Sequence, residues 1–261
     1  MFFRLAAENR FKRAFLADKN PELVKLYEVI QGNVQELIAL LRDIESSYHR
    51  LKPEDRSAEF YRVRRQQTDT LEPVERAARF LFLNRTCFNG LWRVNASGQF
   101  NVPFGKYAKP RILDVDVLES ANRALARATI IQGDFEKALG DLKKGDFAYF
   151  DPPYVPVSKT ANFTAYAADP FGPKEQHRLL EQMLKLKKLG VNAMLSNAAS
   201  DELRKTYRQH GLVVSTIKAG RSINSNPSKR GAVEELVVTT YKREPVAASA
   251  SPGPARQKRA G

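Results

Sequence analysis

Four consecutive residues, Asp151-Pro152-Pro153-Tyr154, directly follow the apolar run FAYF at 147–150. Proline lacks an N–H and fixes its own φ, and it pushes the residue before it towards extended backbone. The tetrapeptide is therefore a stiff turn that offers carbonyl acceptors and no donors at its two prolines. An exocyclic amino group has two hydrogens to give. The Asp151 carboxylate and the Pro152 carbonyl can accept both, which draws the nitrogen towards tetrahedral geometry and frees its lone pair. Tyr154 supplies a flat face for a planar base. A strand ending in an ordinary Pro-Pro turn would carry the same four letters, so the surrounding elements have to discriminate.

Those elements read as alternating strands and helices. Strands are expected at 13–17 (RAFLA, ending at Asp18), 128–132 (ATIIQ, before Gly133-Asp134-Phe135), 147–150, 191–195 (VNAML, before Ser196-Asn197), 213–218 and 236–241. Apolar residues recur at helical spacing from Leu23 to Leu41, and Asn20 with Pro21 is a helix start. Further helical stretches are expected at 1–12, 75–84, 135–143 and 173–189. This order predicts an α/β fold with a sheet covered on both faces. Open sheets of that kind bind ligands beyond the carboxyl ends of their strands, which is where Asp18, Asp134 and Asp151 fall. Residues 85–109 break the pattern with Asn, Gly and aromatic residues, and the end from about 244 is small, Pro-rich and basic, the composition of a disordered tail.

The chain has 261 residues, 43% of them hydrophobic, and 43 Lys and Arg against 29 Asp and Glu, a formal charge of +14. That size fits one core domain with an insertion. The charge favours a polyanionic partner over none, although a solvated basic surface gives the same count. A single cysteine, Cys87, excludes an intramolecular disulfide and a cysteine-based zinc cluster, and three scattered histidines make a metal site unexpected. No run of about 18 apolar residues is present and the N-terminus is not of signal type. The expected compartment is a reducing cytoplasm, with no membrane partner.

Three separate stretches carry a resemblance. FAYFDPPYVPVSKTANFTAY, FLFLNRTCFNGLWRVNASGQFNVPFGKY at 81–107 and RSINSNPSKRGAVEELVVTTYK at 221–242 resemble the Dam-type, D12 class DNA adenine-N6 methyltransferases, in that family's order. The resemblance runs from about residue 2 to residue 242. It implies a Rossmann-like sheet that binds S-adenosyl-L-methionine and a small, mostly helical DNA-recognition insert. The implied boundaries are 1–50 with 110–243 for the catalytic core, 51–109 for the insert and 244–261 for the tail. The implied reaction is site-specific transfer of the cofactor's methyl group to adenine N6 in double-stranded DNA, in a bacterial or phage-encoded protein.

The resemblance also assigns residues. Asp151, Pro152, Pro153 and Tyr154 form the catalytic motif. Asp18 corresponds to the acid that holds the ribose hydroxyls, while Asp134 and Phe135 correspond to the pair that binds the cofactor's adenine. Asp151 touches the target N6 and lies near the methionine moiety. Arg85, Asn89, Arg93 and Lys106 correspond to polar contacts on DNA, Phe88 to an aromatic wedge where the target base leaves the stack, and Leu91 and Pro103 to apolar contacts. Unstacking costs a few kcal/mol, and a wedge replaces part of it. Trp92 is assigned to packing instead. Ser222, Asn224, Ser225, Lys229 and Arg230 correspond to a loop near the DNA, with a plain solvated loop as the competing reading.

Two departures stand out. The lysine-containing segment and the Pro-Phe-x-Gly-x-Gly loop of the family are not found here, and MFFRLAA resembles the helix that follows that loop. A sheet without its first strand is therefore expected, with poor cofactor binding and little methylation by these residues alone. Lys106 stands where an arginine is usual, and a lysine cannot pair bidentately with guanine, so a GATC-like target is open. The alternative is a catalytically impaired DNA-binding remnant. A third reading, an RNA or protein amino-methyltransferase, fits less well with the insert. Within the family, Asp rather than Ser at 151 favours adenine over cytosine N4, and no nucleophilic cysteine in the motif speaks against cytosine C5.

Overall fold

A computed structural model describes residues 1–154, 171–220 and 232–242. All six expected strands form: β1 (Ala14–Asp18), β2 (Ala128–Gln132), β3 (Phe147–Phe150), β4 (Asn192–Ala198), β5 (Val213–Gly220) and β6 (Ala232–Thr239). Apolar and β-branched residues dominate them. β4 is largely buried, but β3 alternates, with Phe147 and Tyr149 exposed, so the sheet is not covered on both faces throughout as the sequence predicts. They make two sheets. β1 and β2 pair in parallel, with Asp18 opposite Gln132. The second sheet has the order β3-β4-β6-β5, in which β3 and β4 are parallel and β6 runs antiparallel to both its neighbours.

Among the described residues, no strand pairs with the free edge of β3 or with the outer edge of β1. A cleft of about 300 Å³ lies between them, lined by Phe15, Leu16, Ala17 and Asp18 and by Tyr149. The sheet is thus interrupted between β1 and β3, in keeping with the expected sheet that lacks one strand.

Eight α-helices form among the described residues: α1 (Phe2–Ala7), α2 (Pro21–Gly32), α3 (Val34–Arg50), α4 (Asp55–Arg64), α5 (Pro73–Thr86), α6 (Val115–Leu125), α7 (Pro173–Lys188) and α8 (Asp201–Gln209). Side chains start several of them. Asn20 accepts from the Glu22 amide at 3.0 Å ahead of Pro21, Asp114 accepts from Val117 and Ser200 from Leu203, each satisfying an amide that the first turn leaves unpaired. The apolar spacing over 20–51 predicts one continuous region, but the structure breaks it at Gly32-Asn33, where Asn33 adopts φ −133°. Both residues are weak helix formers. The helix expected at 135–143 is only a 3-10 turn, Phe135–Ala138, with Gly140 just beyond it.

Two hydrophobic cores result. The first gathers α2 to α6 and the loop residues Cys87, Phe100 and Val102, with Leu16, Ala128 and Ile130 of the small sheet packed on it. The second gathers β3 to β6 with α7 and α8. Half-buried side-chain amides pin the first core across sequence: Gln31 donates to the carbonyls of Leu125 and Ala128, and Asn122 donates to that of Ile30.

Candidate active site

The carboxyl ends of β1, β2 and β3 carry Asp18, the Gly133-Asp134-Phe135 turn and the Asp151 motif. Parallel pairing of β1 with β2 sets the first two side by side, and the Gly133 amide donates to the Asp18 carbonyl at 2.9 Å. Asp18 is exposed, and one of its carboxylate oxygens accepts from the Asn20 amide at 2.7 Å. Asp134 caps the 3-10 turn through the Glu136 amide. Its carboxylate also meets Lys19 Nζ at 3.4 Å and Arg178 Nη2 at 3.1 Å. Burial works to raise the Asp134 carboxyl, but the Glu136 amide, the Arg178 guanidinium and Lys19 outweigh it and hold it below the usual carboxylate range. The Phe135 ring meets Phe150 edge to face, with centroids 6.0 Å apart. That contact links the Asp134 turn to the strand that leads into Asp151.

Asp151 is exposed, and a side chain from the neighbouring strand fixes it. Ser196 Oγ donates to Asp151 Oδ1 at 2.9 Å. A serine hydroxyl has one proton, so the 2.9 Å contact between Ser196 Oγ and the Tyr149 hydroxyl is donated by the tyrosine. The relay uses one oxygen of Asp151. On the other side, the Tyr154 hydroxyl donates to Glu235 Oε2 of β6 at 3.3 Å. Burial raises the phenols of both Tyr149 and Tyr154, and the negative charges of Asp151 and Glu235 add to the rise. Both phenols therefore remain donors.

Arg85 lies at the end of α5, and the other expected contacts follow it in one clasp. The backbones of 86–88 and 103–105 meet: Gly105 donates to the Thr86 carbonyl at 2.8 Å and Phe88 to the Pro103 carbonyl at 2.9 Å. The Tyr107 hydroxyl accepts from the Asn89 amide at 3.0 Å. Asn89 and Lys106 both take left-handed φ, 54° and 55°, a conformation that costs non-glycine residues energy and recurs at working sites. Arg85, Phe88, Asn89, Leu91, Arg93, Pro103 and Lys106 are all exposed; Phe88 is 43% exposed and Leu91 41%. Large apolar side chains left in water beside cations mark a binding surface more than a core. Arg93 is braced by Asn101 at 2.7 Å. Trp92, by contrast, stacks on Phe80 with centroids 4.0 Å apart, the packing role expected for it.

Ser222, Asn224, Ser225, Lys229, Arg230 and the tail at 244–261 lie outside the described residues. Ser196, Tyr149, Glu235 and Arg178 are the site neighbours that sequence reading did not assign. Ser196-Asn197 ends an expected strand, a weak signal for the first of them; the others carry none. Among the described residues, no group of three or more His, Cys, Asp and Glu side chains could hold a metal ion, and no helix is long and apolar enough to cross a membrane.

Residues 1–221 match the D12 class N6 adenine-specific DNA methyltransferase family. The chain is 38% identical over 251 residues to the type II methyltransferase M1.LlaDCHI of Lactococcus lactis subsp. cremoris, covering 92% of this chain and 82% of that one. It is 36% identical over 246 residues to the type II methyltransferase M.MjaIII of Methanocaldococcus jannaschii, covering 92% and 84%. With the DNA adenine methylase of Escherichia coli K12 it shares 34% over 228 residues, covering 87% and 79%. These similarities support an enzyme and give no support to the impaired remnant.

Proposed function

The chain belongs to the D12 class N6 adenine-specific DNA methyltransferase family, and from that premise we propose how its residues methylate adenine N6 in duplex DNA, with S-adenosyl-L-methionine as the methyl donor. The observation that carries the reading is the Asp151 motif at the end of β3, with its carboxylate braced by Ser196. The extruded base presents its amino group to the second oxygen of Asp151 and to the Pro152 carbonyl. Both acceptors pull the nitrogen out of conjugation with the ring. Tyr154, held by Glu235, supplies the stacking face. The cofactor brings an electrophilic methyl group on sulfur. With the cofactor bound, the N6 lone pair would take that methyl group as its bond to sulfur breaks and a neutral thioether leaves, and the proton that N6 gives up would pass by way of the Asp151 carboxylate to solvent.

The residues present fit the nucleoside half of that cofactor. Asp18 offers carboxylate oxygens to a cis-diol, and one turn away Asp134 offers acceptors to an adenine amino group with the Phe135 ring beside it. Asp151 is assigned to both substrates, since it directly follows Phe150, whose ring meets Phe135 of the proposed adenine site. For the DNA, the exposed row Arg85, Asn89, Arg93 and Lys106 contacts bases or phosphates, Phe88 replaces the stacking lost when the adenine leaves the helix, and Leu91 and Pro103 add apolar contact. The resemblance adds Ser225, Lys229 and Arg230 to the residues assigned to DNA. A GATC-like target stays open and turns on Lys106, a point charge that cannot pair bidentately with guanine. The insert spans 51–109 and the catalytic core the remainder to 243.

Asp151→Ala tests the assignment. Methyl transfer to duplex DNA should disappear, and DNA affinity should stay within about twofold, because Asp151 contacts one base among many phosphate contacts. Turnover like that of the unaltered chain would remove Asp151 from the chemistry.

A further inference from the structure

The Asp134-Phe135 pair does not stand alone. The guanidinium of Arg178, in the second turn of α7, reaches across from the second core. Its Nη2 donates to Asp134 Oδ1 at 3.1 Å and its Nη1 to Oδ2 at 3.4 Å. Its Nε donates to Glu136 Oε1 at 3.2 Å. Its central carbon lies 5.3 Å from the centre of the Phe135 ring. One planar fork thus touches the acid, the ring and the residue that follows them. Such bidentate pairing sets geometry as well as charge.

A carboxylate has about four acceptor positions. Around Asp134 they are taken by the Glu136 amide, the two Arg178 nitrogens and the Lys19 ammonium at 3.4 Å. A further donor, such as the amino group of a nucleobase, must replace one of them. The amide is fixed by the 3-10 turn, and the guanidinium is tied to Asp134 and Glu136 together. Lys19 is a point charge on a flexible stem with half of its side chain exposed. It is the donor that can leave.

We propose that Arg178 is a positioning residue for the cofactor's nucleobase: its fork holds the Asp134 carboxylate and the Phe135 ring in binding geometry, and Lys19 is the donor that the nucleobase replaces. This rests on Asp134 and Phe135 being the adenine site. Arg178 belongs to a helix that begins 22 residues after Asp151, so the nucleoside site is closed by the part of the chain that carries the methyl-transfer motif.

Calorimetry with S-adenosylhomocysteine on the full chain, beside steady-state kinetics, tests both layers. Arg178→Gln should weaken binding and raise KM for the cofactor by about tenfold, the loss of one charge-assisted contact, with kcat unchanged within about twofold. Arg178→Lys keeps the charge and loses the fork, so it should recover only part. Lys19→Ala should bind as well as the unaltered chain or better. Unaltered affinity in Arg178→Gln together with lost affinity in Asp134→Asn overturns the role of Arg178 alone. Unaltered affinity in both overturns the nucleoside site with it. A loss in Lys19→Ala as large as that in Arg178→Gln overturns the exchange, and a fall in kcat equal to the rise in KM overturns a role confined to binding.

Discussion

At the scale of single residues, the proposed chemistry rests on how one carboxylate is held. Asp151 is exposed, and its orientation comes from Ser196 on the adjacent strand, itself fed by the Tyr149 hydroxyl. Removing the Ser196 hydroxyl should leave the nucleoside half of the cofactor site alone and blur the direction of the carboxylate. Ser196→Ala is expected to lower kcat about tenfold, the worth of a hydrogen bond to a charged group, while binding of S-adenosylhomocysteine stays as it was. A matching loss of cofactor affinity in calorimetry would assign Ser196 to the other half of the site. Asp18, Asp134 and Asp151 were legible because each follows an apolar run that ends in a turn. Ser196, Glu235 and Arg178 were not, since each reaches its partner across some 40 to 80 positions of sequence and is an ordinary residue type where it stands. The burial of Tyr207 is of the same hidden kind. Burial pushes its phenol up to about 12, and its hydroxyl has no hydrogen-bond partner among the described residues. The unfolded tyrosine ionises near pH 10 and the folded one two units later, so stability is intact below pH 10 and falls as pH rises from 10 towards 12, by about 3 kcal/mol. Tyr207→Phe should flatten that alkaline fall in denaturant titrations and cost little at neutral pH, where no hydrogen bond is lost.

At the scale of elements, the strands were the most readable part, because short apolar runs bounded by Gly, Asp and Pro admit few other interpretations. The helix boundaries were less so: one periodic stretch hides the break at Gly32-Asn33, and α6 and α8 carry polar sequences whose caps, Asp114 and Ser200, declare them only once the fold is known. The clasp of 86–88 with 103–105 was legible as unusual but not as a shape. It depends on Gly105, where a β-carbon would lie 2.5 Å from the Cys87 carbonyl oxygen and from the Tyr107 ring. The backbone contact cannot yield, so the two segments must part. Gly105→Ala is therefore expected to displace Phe88, Asn89 and Lys106 together, to weaken duplex binding by at least about tenfold, and to leave cofactor binding unchanged. Equal DNA affinity in a fluorescence anisotropy titration would show that the clasp does not present these side chains to DNA.

At the scale of the whole molecule, the charge of +14 acts on how partners meet. Binding to duplex should weaken steadily with salt, the logarithm of affinity falling by about 0.9 per phosphate neutralised for each unit of log salt; a flat dependence measured between low and physiological salt would mean that the basic residues lie away from the DNA. The interrupted sheet has a different consequence. A continuous sheet would carry hydrogen bonds from one core to the other, and here none crosses from β1 to β3 among the described residues. The cores joined by α2 to α6 and by α7, α8 and the larger sheet each have their own reason to stay folded. Heat or denaturant need not melt them together. All-or-none unfolding depends on every part sharing its stability with the rest, and two cores with no shared sheet among the described residues can melt apart, the one built on α2 to α6 before the one behind Asp151 or the reverse, so that one melting temperature would describe neither.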